Sequence, residues 1–360
     1  VTPVVPPVTG AWREGHPNGS RRWLRVTTPL ATLPGYRIAY ETWGVLNASA
    51  DNAVLVEHAL TGDSHAAGAA GPGHPTPGWW DGLIGPGRAI DTDRYFVVCP
   101  NVLGGCQGTT GPSSTAPDGR AWGSRFPAIG VRDQVTAEVT LADALGVRRW
   151  AAVVGGSMGG MRALEWAVGH PGRVAALLLV ACPAAASAEQ IAWTSPQLHA
   201  IRADPHWHGG DYHDQPRGPV DGLGVARRIA HITYRGADEF DARFGRSTVD
   251  GKFAVESYVD YHAAKLAARF DAGSYVVLTE AMNGHDIGAG RGGVAAALRR
   301  VTARALVAGV DTDRLYPLGQ QDELARGLGV DVEIITSSSG HDGFLTEVAQ
   351  VGALAEKMLG

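Results

Sequence analysis

Two periodicities alternate along the chain. Apolar runs lie at 53–56, 95–99, 151–154 and 174–180, the third rich in β-branched residues, and the mixed segments 303–308 and 330–336 also read as strands. Short runs without polar alternation predict strands buried on both faces of a parallel sheet. Two earlier segments, 23–30 and 36–43, predict strands joined by a turn at Pro34-Gly35. Apolar positions at helical spacing follow over 131–145, closed by Gly146, then through Met161, Leu164, Trp166 and Val168, and over 317–328 and 344–359. Strands alternating with helices predict a mostly parallel α/β sheet. The alternation stops near Ala184 and resumes near Arg300. Helical segments over 187–203, 222–231 and 252–270 fill the gap. The pattern predicts a sheet-and-helix core over 1–183 and 301–360, carrying an inserted helical lid over 184–300. The first ~20 residues, rich in proline and glycine, predict a mobile arm.

Bulk composition narrows the function. With 44% hydrophobic and 19% charged residues, the chain reads as an ordinary globular protein with a large core. A net charge of −5 offers no general attraction for nucleic acid or an anionic membrane. The three cysteines are odd in number, widely spaced and without a C-x-x-C pair, which points away from disulfides and structural zinc and toward a reducing compartment. The opening Val1-Thr2-Pro3-Val4-Val5-Pro6-Pro7 has no basic start, so no signal peptide is expected there. The apolar run 174–182 is too short to span a bilayer. A cytoplasmic protein is the expectation.

The chemistry centres on Gly155-Gly156-Ser157-Met158-Gly159-Gly160. In a chain with 49 glycines the pattern G-x-S-x-G means little alone. Placed between an apolar strand and a helix it describes a nucleophile elbow, with Ser157 on a strained turn and small residues on either side. The helix N-terminus beneath Ser157 favours negative charge developing there. A serine nucleophile needs a base, and the base needs an acid to hold its tautomer. In such a sheet these follow in the order serine, acid, histidine, on loops after later strands. His341 follows the last strand. Asp313 follows the strand before it, and Asp311 is a rival that spacing alone does not separate. The backbone N–H groups of Met158, after the serine, and of Leu60, after the strand at 53–56, are the expected oxyanion donors.

Several longer motifs carry more information. Glu57-His58-Ala59-Leu60-Thr61-Gly62-Asp63-Ser64-His65, Gly78-Trp79-Trp80, the glycine-rich stretch 101–112, the elbow and the Asp313 and His341 loops together resemble the homoserine O-acetyltransferases of methionine biosynthesis, from roughly Trp23 to the C-terminus. The resemblance implies an α/β-hydrolase fold with a helical lid, a homodimer formed through that lid, and ping-pong transfer of acetyl from acetyl-CoA to the homoserine hydroxyl. It implies no permanently bound cofactor and no metal. Carried over residue by residue, it makes Ser157 the acetylated nucleophile, His341 the base and Asp313 its partner in preference to Asp311. Arg227 and Tyr234 match the family's lid residues that hold the amino acid, and Asp342 matches its acceptor for the substrate ammonium. An arginine can clamp a carboxylate with two hydrogen bonds. Arg228 competes with Arg227 from another helix face, since adjacent helical residues diverge by about 100°. A succinyl donor, a serine or other hydroxyl acceptor, and a plain serine esterase are the alternatives on the same triad.

Other features carry less. His206-Trp207-His208-Gly209-Gly210-Asp211-Tyr212-His213-Asp214 has metal-ligand residue types but no zinc spacing, so a hydrogen-bonded loop is expected. Cys106 lacks a helix N-terminus directly after it and is expected to be a buried thiol. Trp79-Trp80 is expected to pack the base of its loop. The glycines of 101–112 bring backbone close to a neighbour, with contact to the acyl-donor path one expectation.

Overall fold

The structure, a computed structural model, describes residues 8–360. Eight strands form one sheet: β1 (Arg22–Val26), β2 (Tyr36–Trp43), β3 (Ala53–Glu57), β4 (Phe96–Pro100), β5 (Ala152–Gly156), β6 (Ala176–Val180), β7 (Arg304–Val310) and β8 (Val332–Ile335). Their spatial order is β1-β2-β4-β3-β5-β6-β7-β8. The β1–β2 and β2–β4 pairings are antiparallel and every other one is parallel. The unbroken apolar runs have a direct cause: the sheet is covered on both faces. Leu55, Leu177 and Leu179 point to one core with Leu141 and Trp166, while Val54, Val56, Leu178 and Val180 point to the other with Phe344 and Leu354.

Helices α1 (Val131–Ala144) and α2 (Met158–Gly169) follow β4 and β5. Between β6 and β7 run α3 (Ala188–Ala203), α4 (Val220–Tyr234), α5 (Ala237–Phe244), α6 (Ala254–Ala267), α7 (Ala272–Asn283) and α8 (Val294–Leu298). Leu198, Ile201, Leu223, Leu266 and Tyr275 from these helices share a third core with Leu60, Met158 and Tyr316, directly over the elbow. Ile287, Ala297 and Leu298 pack instead with the sheet's own core, so the end of this stretch is sheet-covering structure. After β7 come α9 (Leu318–Leu328), α10 (Gly343–Thr346) and α11 (Val348–Leu359). The single helix expected over 344–359 is broken at Glu347, whose φ of −88° and ψ of 58° lie outside the helical region. The expected arm falls partly outside the described residues. From Thr9 onward it is docked: Thr9 Oγ1 donates to Asp271 Oδ1 at 2.8 Å, Gly10 N to the Phe270 carbonyl at 3.1 Å and Trp12 N to the Cys106 carbonyl at 2.9 Å. Among the described residues no helix is long and apolar enough to cross a membrane, and all three cysteines are free and buried.

Candidate active site

The β5–α2 turn is held open for Ser157 by close backbone packing. Ser157 sits at φ 58°, ψ −126°, a conformation that costs an L-residue about 1–3 kcal/mol. A Cβ on Gly155 would lie 2.2 Å from the Gly159 carbonyl oxygen, and one on Gly159 would lie 2.0 Å from the Glu57 carbonyl oxygen. Only glycine lets β3, β5 and α2 meet this closely. The Ser157 hydroxyl has no hydrogen-bond partner among the described residues and stands at the N-terminus of a twelve-residue helix.

Two later loops bring His341 and Asp313 together. His341 Nδ1 lies 2.7 Å from Asp313 Oδ2, both groups are buried, and the other carboxylate oxygen accepts from the Leu315 and Tyr316 amides at 2.8 and 2.9 Å. Asp311 is exposed and accepts from the Ser337 amide, so the two aspartates that spacing left open differ plainly in their partners. Burial works to lower the His341 pKa, but the charge and hydrogen bond of Asp313, with Asp342 beyond, leave it raised above 6.5. The His341 ring lies among Tyr316, Phe344 and Tyr234, at centroid distances of 5.1, 5.3 and 5.8 Å. Phe344 in turn packs against Gly156, beside the serine.

The turn after β3 is braced from three sides. His58 Nε2 accepts from the Val102 amide at 3.1 Å, which leaves Nδ1–H to donate to the Ala59 carbonyl at 2.8 Å. Burial and the neighbouring Arg162 push the His58 pKa down to about 3, so the ring is neutral. Arg162 of α2 donates to the His58 carbonyl at 2.7 Å and to Glu138 at 2.6 Å, with Glu57 Oε2 at 2.8 Å as a charge contact out of hydrogen-bond line. The Leu60 and Met158 amides have no hydrogen-bond acceptor among the described residues, so two buried donors are left unspent beside Ser157. The sequence pattern gave no sign of His58 and Arg162 in this bracing role, because their partners are main-chain atoms and carboxylates far along the chain.

Helix α4 delivers Arg227 and Tyr234, and the histidine loop delivers Asp342. The Arg227 guanidinium lies 5.3 Å above the Tyr234 ring and has no carboxylate within ion-pair distance among the described residues. Arg228 instead turns to α6 and pairs with Asp260 at 2.7 Å. Asp342 is contacted by Arg235 Nη1 at 3.3 Å, and Arg235 also pairs with Glu239. Burial raises the Asp342 pKa against the opposing charges of His341, Arg227 and Arg235. Arg235, next to the singled-out Tyr234, was not anticipated. Arg227, Arg235 and Asp342 line a cleft of about 380 Å³ together with Ala59, His231 and Trp79. The end of α4 abuts the histidine loop backbone to backbone: a Cβ on Gly236 would lie 2.4 Å from the Ser338 carbonyl oxygen, and one on Gly340 (φ 64°) would lie 2.7 Å from Gly236 N.

The other motifs resolve into structure. Glu41, His65 and His74 are the one cluster among the described residues with metal-ligand atoms close enough to share an ion. Most of their polar atoms are engaged, Glu41 by His65 at 3.0 Å and by Ser64 at 2.8 Å, and His74 Nε2 by the Ser20 amide at 3.1 Å, while His65 Nε2 is buried without a partner. The two imidazoles stack at 3.8 Å and 8°, so their in-plane lone pairs run side by side instead of converging, which does not fit a metal site. His213 and Tyr212 bond Asp271, and Asp211 bonds Ser124. The Cys106 thiol is pushed up to about 12 by burial. Trp80 is buried and donates to the Phe344 carbonyl at 3.1 Å, while Trp79 lines the cleft. The stretch 101–112 is buried, where Thr109 and Thr110 accept from the β2 amides of Ala39 and Arg37.

Comparison with known proteins matches this architecture. A family model of the alpha/beta hydrolase fold covers residues 52–348. Over 99% of its length the chain is 68% identical to the homoserine O-acetyltransferase of Thermobifida fusca (strain YX), 98% of which is covered. The crystal structure of the homoserine O-acetyltransferase from Bacillus anthracis superposes with a TM-score of 0.86 at 27% identity, over 94% of this chain and 97% of that one. Esterase E22 superposes with a TM-score of 0.88 at 26% identity, over 94% and 99% of the two chains.

Proposed function

From its membership of the homoserine O-acetyltransferase family, acyltransferases of methionine biosynthesis on the α/β-hydrolase fold, we propose that this chain moves the acetyl group of acetyl-CoA to the side-chain hydroxyl of L-homoserine through an acyl-Ser157 intermediate. Ser157 Oγ attacks the thioester carbonyl while His341 takes its proton, and Asp313 stabilises the imidazolium. The oxyanion accepts from the Leu60 and Met158 amides. Collapse breaks the C–S bond and the proton passes from His341 to the departing thiolate. In the second half-reaction the homoserine hydroxyl gives its proton to His341 and attacks the acyl carbonyl. Ser157 leaves with that proton, and O-acetyl-L-homoserine and CoA are the products.

The observation that carries the acceptor is the free Arg227 guanidinium over Tyr234, next to the His341 ring and the Asp342 carboxylate. A zwitterion with a terminal hydroxyl needs one cation, one anion and a base within reach, and this set supplies them. For the donor, support comes from a cavity of about 30 Å³ between Leu60, Met161, Tyr316, Tyr234 and Met282. Among the described residues no arginine, lysine or histidine lines it, which suits acetyl and gives the carboxylate of a succinyl group no cation to pair with. The helices between β6 and β7, packed over the elbow, support exclusion of water as a lid. A homodimer through those helices is supported by exposed Ile191, Val225, Ile232 and Tyr261. A cytoplasmic setting is supported by three free, buried thiols.

The test is intact-protein mass spectrometry after mixing with acetyl-CoA, followed by homoserine. An acetyl adduct on Ser157 that homoserine discharges as O-acetylhomoserine is the expected result. A succinyl adduct from succinyl-CoA would change the donor, and discharge by serine would change the acceptor. The likeness to esterase E22 favours a second reading, plain ester hydrolysis. An adduct that water clears as fast as homoserine does would select it.

A further inference from the structure

The cleft that holds Arg227 and Asp342 does not end at the lid. Asp63, Pro75 and Arg269 line it and also line a second groove of about 340 Å³, so the two run together across these three residues. The outer groove lies between the docked segment after Thr9, the loop around Gly73 and the end of α6. Its charge is unbalanced. Asp63, the one carboxylate in its wall among the described residues, is engaged by Arg269 at 3.0 Å.

Arg21 is the second cation of the wall, and it is 5% exposed. Its Nη atoms donate to the carbonyl oxygens of Asn18 (3.3 Å) and Gly73 (3.0 Å) and to the side-chain oxygen of Gln107 (3.2 Å). No carboxylate lies within 4 Å of it among the described residues, and its Nε is buried without any partner. Asp63 and Glu41 act on it from beyond that distance, but burial costs the guanidinium more than their charges return, and a wall of low dielectric projects the remaining field into the groove. Trp12, braced by the Trp23 ring at 5.0 Å and the Arg37 guanidinium at 5.2 Å, adds an aromatic surface to the same rim.

We infer that this outer groove binds the nucleotide end of the acyl donor, an adenosine bisphosphate, while the pantetheine arm follows the inner cleft to Ser157. Phosphate groups answer Arg21, which no carboxylate contacts among the described residues, and the neighbouring Arg269. The aromatic rim offers a stacking surface for the base. The inference rests on the proposed CoA donor and adds the place where its phosphates are held.

The experiment compares two acetyl thioesters, acetyl-CoA and S-acetyl-N-acetylcysteamine, which lacks the nucleotide. Ala268 is exposed on the groove wall, so Ala268→Glu adds a negative charge without disturbing the core, and Arg21→Gln removes the buried positive charge. Each variant should raise the KM for acetyl-CoA by roughly tenfold at unchanged kcat and leave the short thioester untouched. Equal effects on both donors, or an unchanged acetyl-CoA KM in Ala268→Glu, would overturn the assignment. Calorimetry with adenosine 3′,5′-bisphosphate separates this failure from failure of the donor itself. Wild type should bind the nucleotide and Ala268→Glu should bind it more weakly, whatever the turnover, and no binding to wild type rejects the groove. An enzyme that takes acetyl from neither thioester rejects the donor reading instead.

Discussion

His341 and His58 are both buried histidines whose pKa values shift in opposite directions, and their partners explain the difference. His58 has only main-chain partners and a nearby arginine, so burial wins and the ring stays neutral. His341 faces Asp313, and the carboxylate outweighs burial. A base must be neutral to accept a proton. Because the His341 pKa is raised, activity falls as pH drops through a value above 6.5 and is restored above it. The acid limb of kcat/KM for acetyl-CoA should therefore lie above pH 6.5. Asp313→Asn removes the raising influence and leaves burial, so the limb moves to lower pH and the rate falls by about 10⁴-fold. A pH–rate profile of both enzymes checks this, and an unmoved limb would separate the limb from His341. Ser157, the elbow and the two rival aspartates were within reach of sequence reasoning at this scale. The bracing by His58 and Arg162 was not, since it depends on which carbonyl each side chain meets.

In the proposed mechanism helix α4 sets the acceptor end as a rigid element. It meets α3 closely at Gly222, where a Cβ would lie 2.5 Å from the Ala200 carbonyl oxygen, and its far end meets the histidine loop at Gly236. Gly222→Val must push α4 away from α3, carrying Arg227 and Tyr234 with it. A displacement near 1 Å can cost about 10²-fold in a positioned reaction. The expected outcome is a rise in homoserine KM or loss of transfer, with the burst of Ser157 acetylation retained. A rapid-quench measurement of both half-reactions decides it, and equal damage to both would show that α4 serves the donor as well. The strands and the long amphipathic helices were legible because each buries a regular pattern. Helix α7 was not, because Ala272, Tyr275, Val276, Leu278, Ala281 and Met282 are buried around most of its circumference and no polar stripe marks its period. Helix α5 has no buried residue, and its single Phe240–Phe244 pair spans too few turns to fix a period.

At the scale of the whole molecule, β3, α1 and α2 converge on one buried ion cluster. Arg162 is fully buried and answers Glu138 and Glu57, and Trp166 donates to the other Glu138 oxygen at 2.9 Å. Even beside Arg162, burial raises the Glu57 pKa well above its ordinary value, with Glu138 adding to the rise. Arg162→Met leaves two buried carboxylates without their cation, and a loss of about 3–5 kcal/mol in unfolding free energy is expected. Chemical denaturation measures it. A change below about 1 kcal/mol would mean that the carboxylates simply protonate. The exposed apolar residues of α3, α4 and α6 carry the proposed dimer. Analytical ultracentrifugation should find two copies of the chain, and Ile232→Glu, which places a charge on that face, should shift them toward one. A monomeric wild type would remove the lid-mediated dimer from the proposal.

The sequence by itself determined what depends on local pattern: the doubly covered sheet, the interruption by helices, the elbow serine, and the order in which acid and base follow it. Each rests on spacing, on strand burial, or on what glycine alone can do at a turn. The tertiary structure decided what depends on distance between remote segments. It paired His341 with Asp313 and turned Arg228 away to Asp260 while leaving Arg227 free. It also set Arg235 against Asp342 and left Arg21 buried with no carboxylate in contact among the described residues. A side chain's neighbours across the fold fix its charge and its reach, and no period along the chain records them.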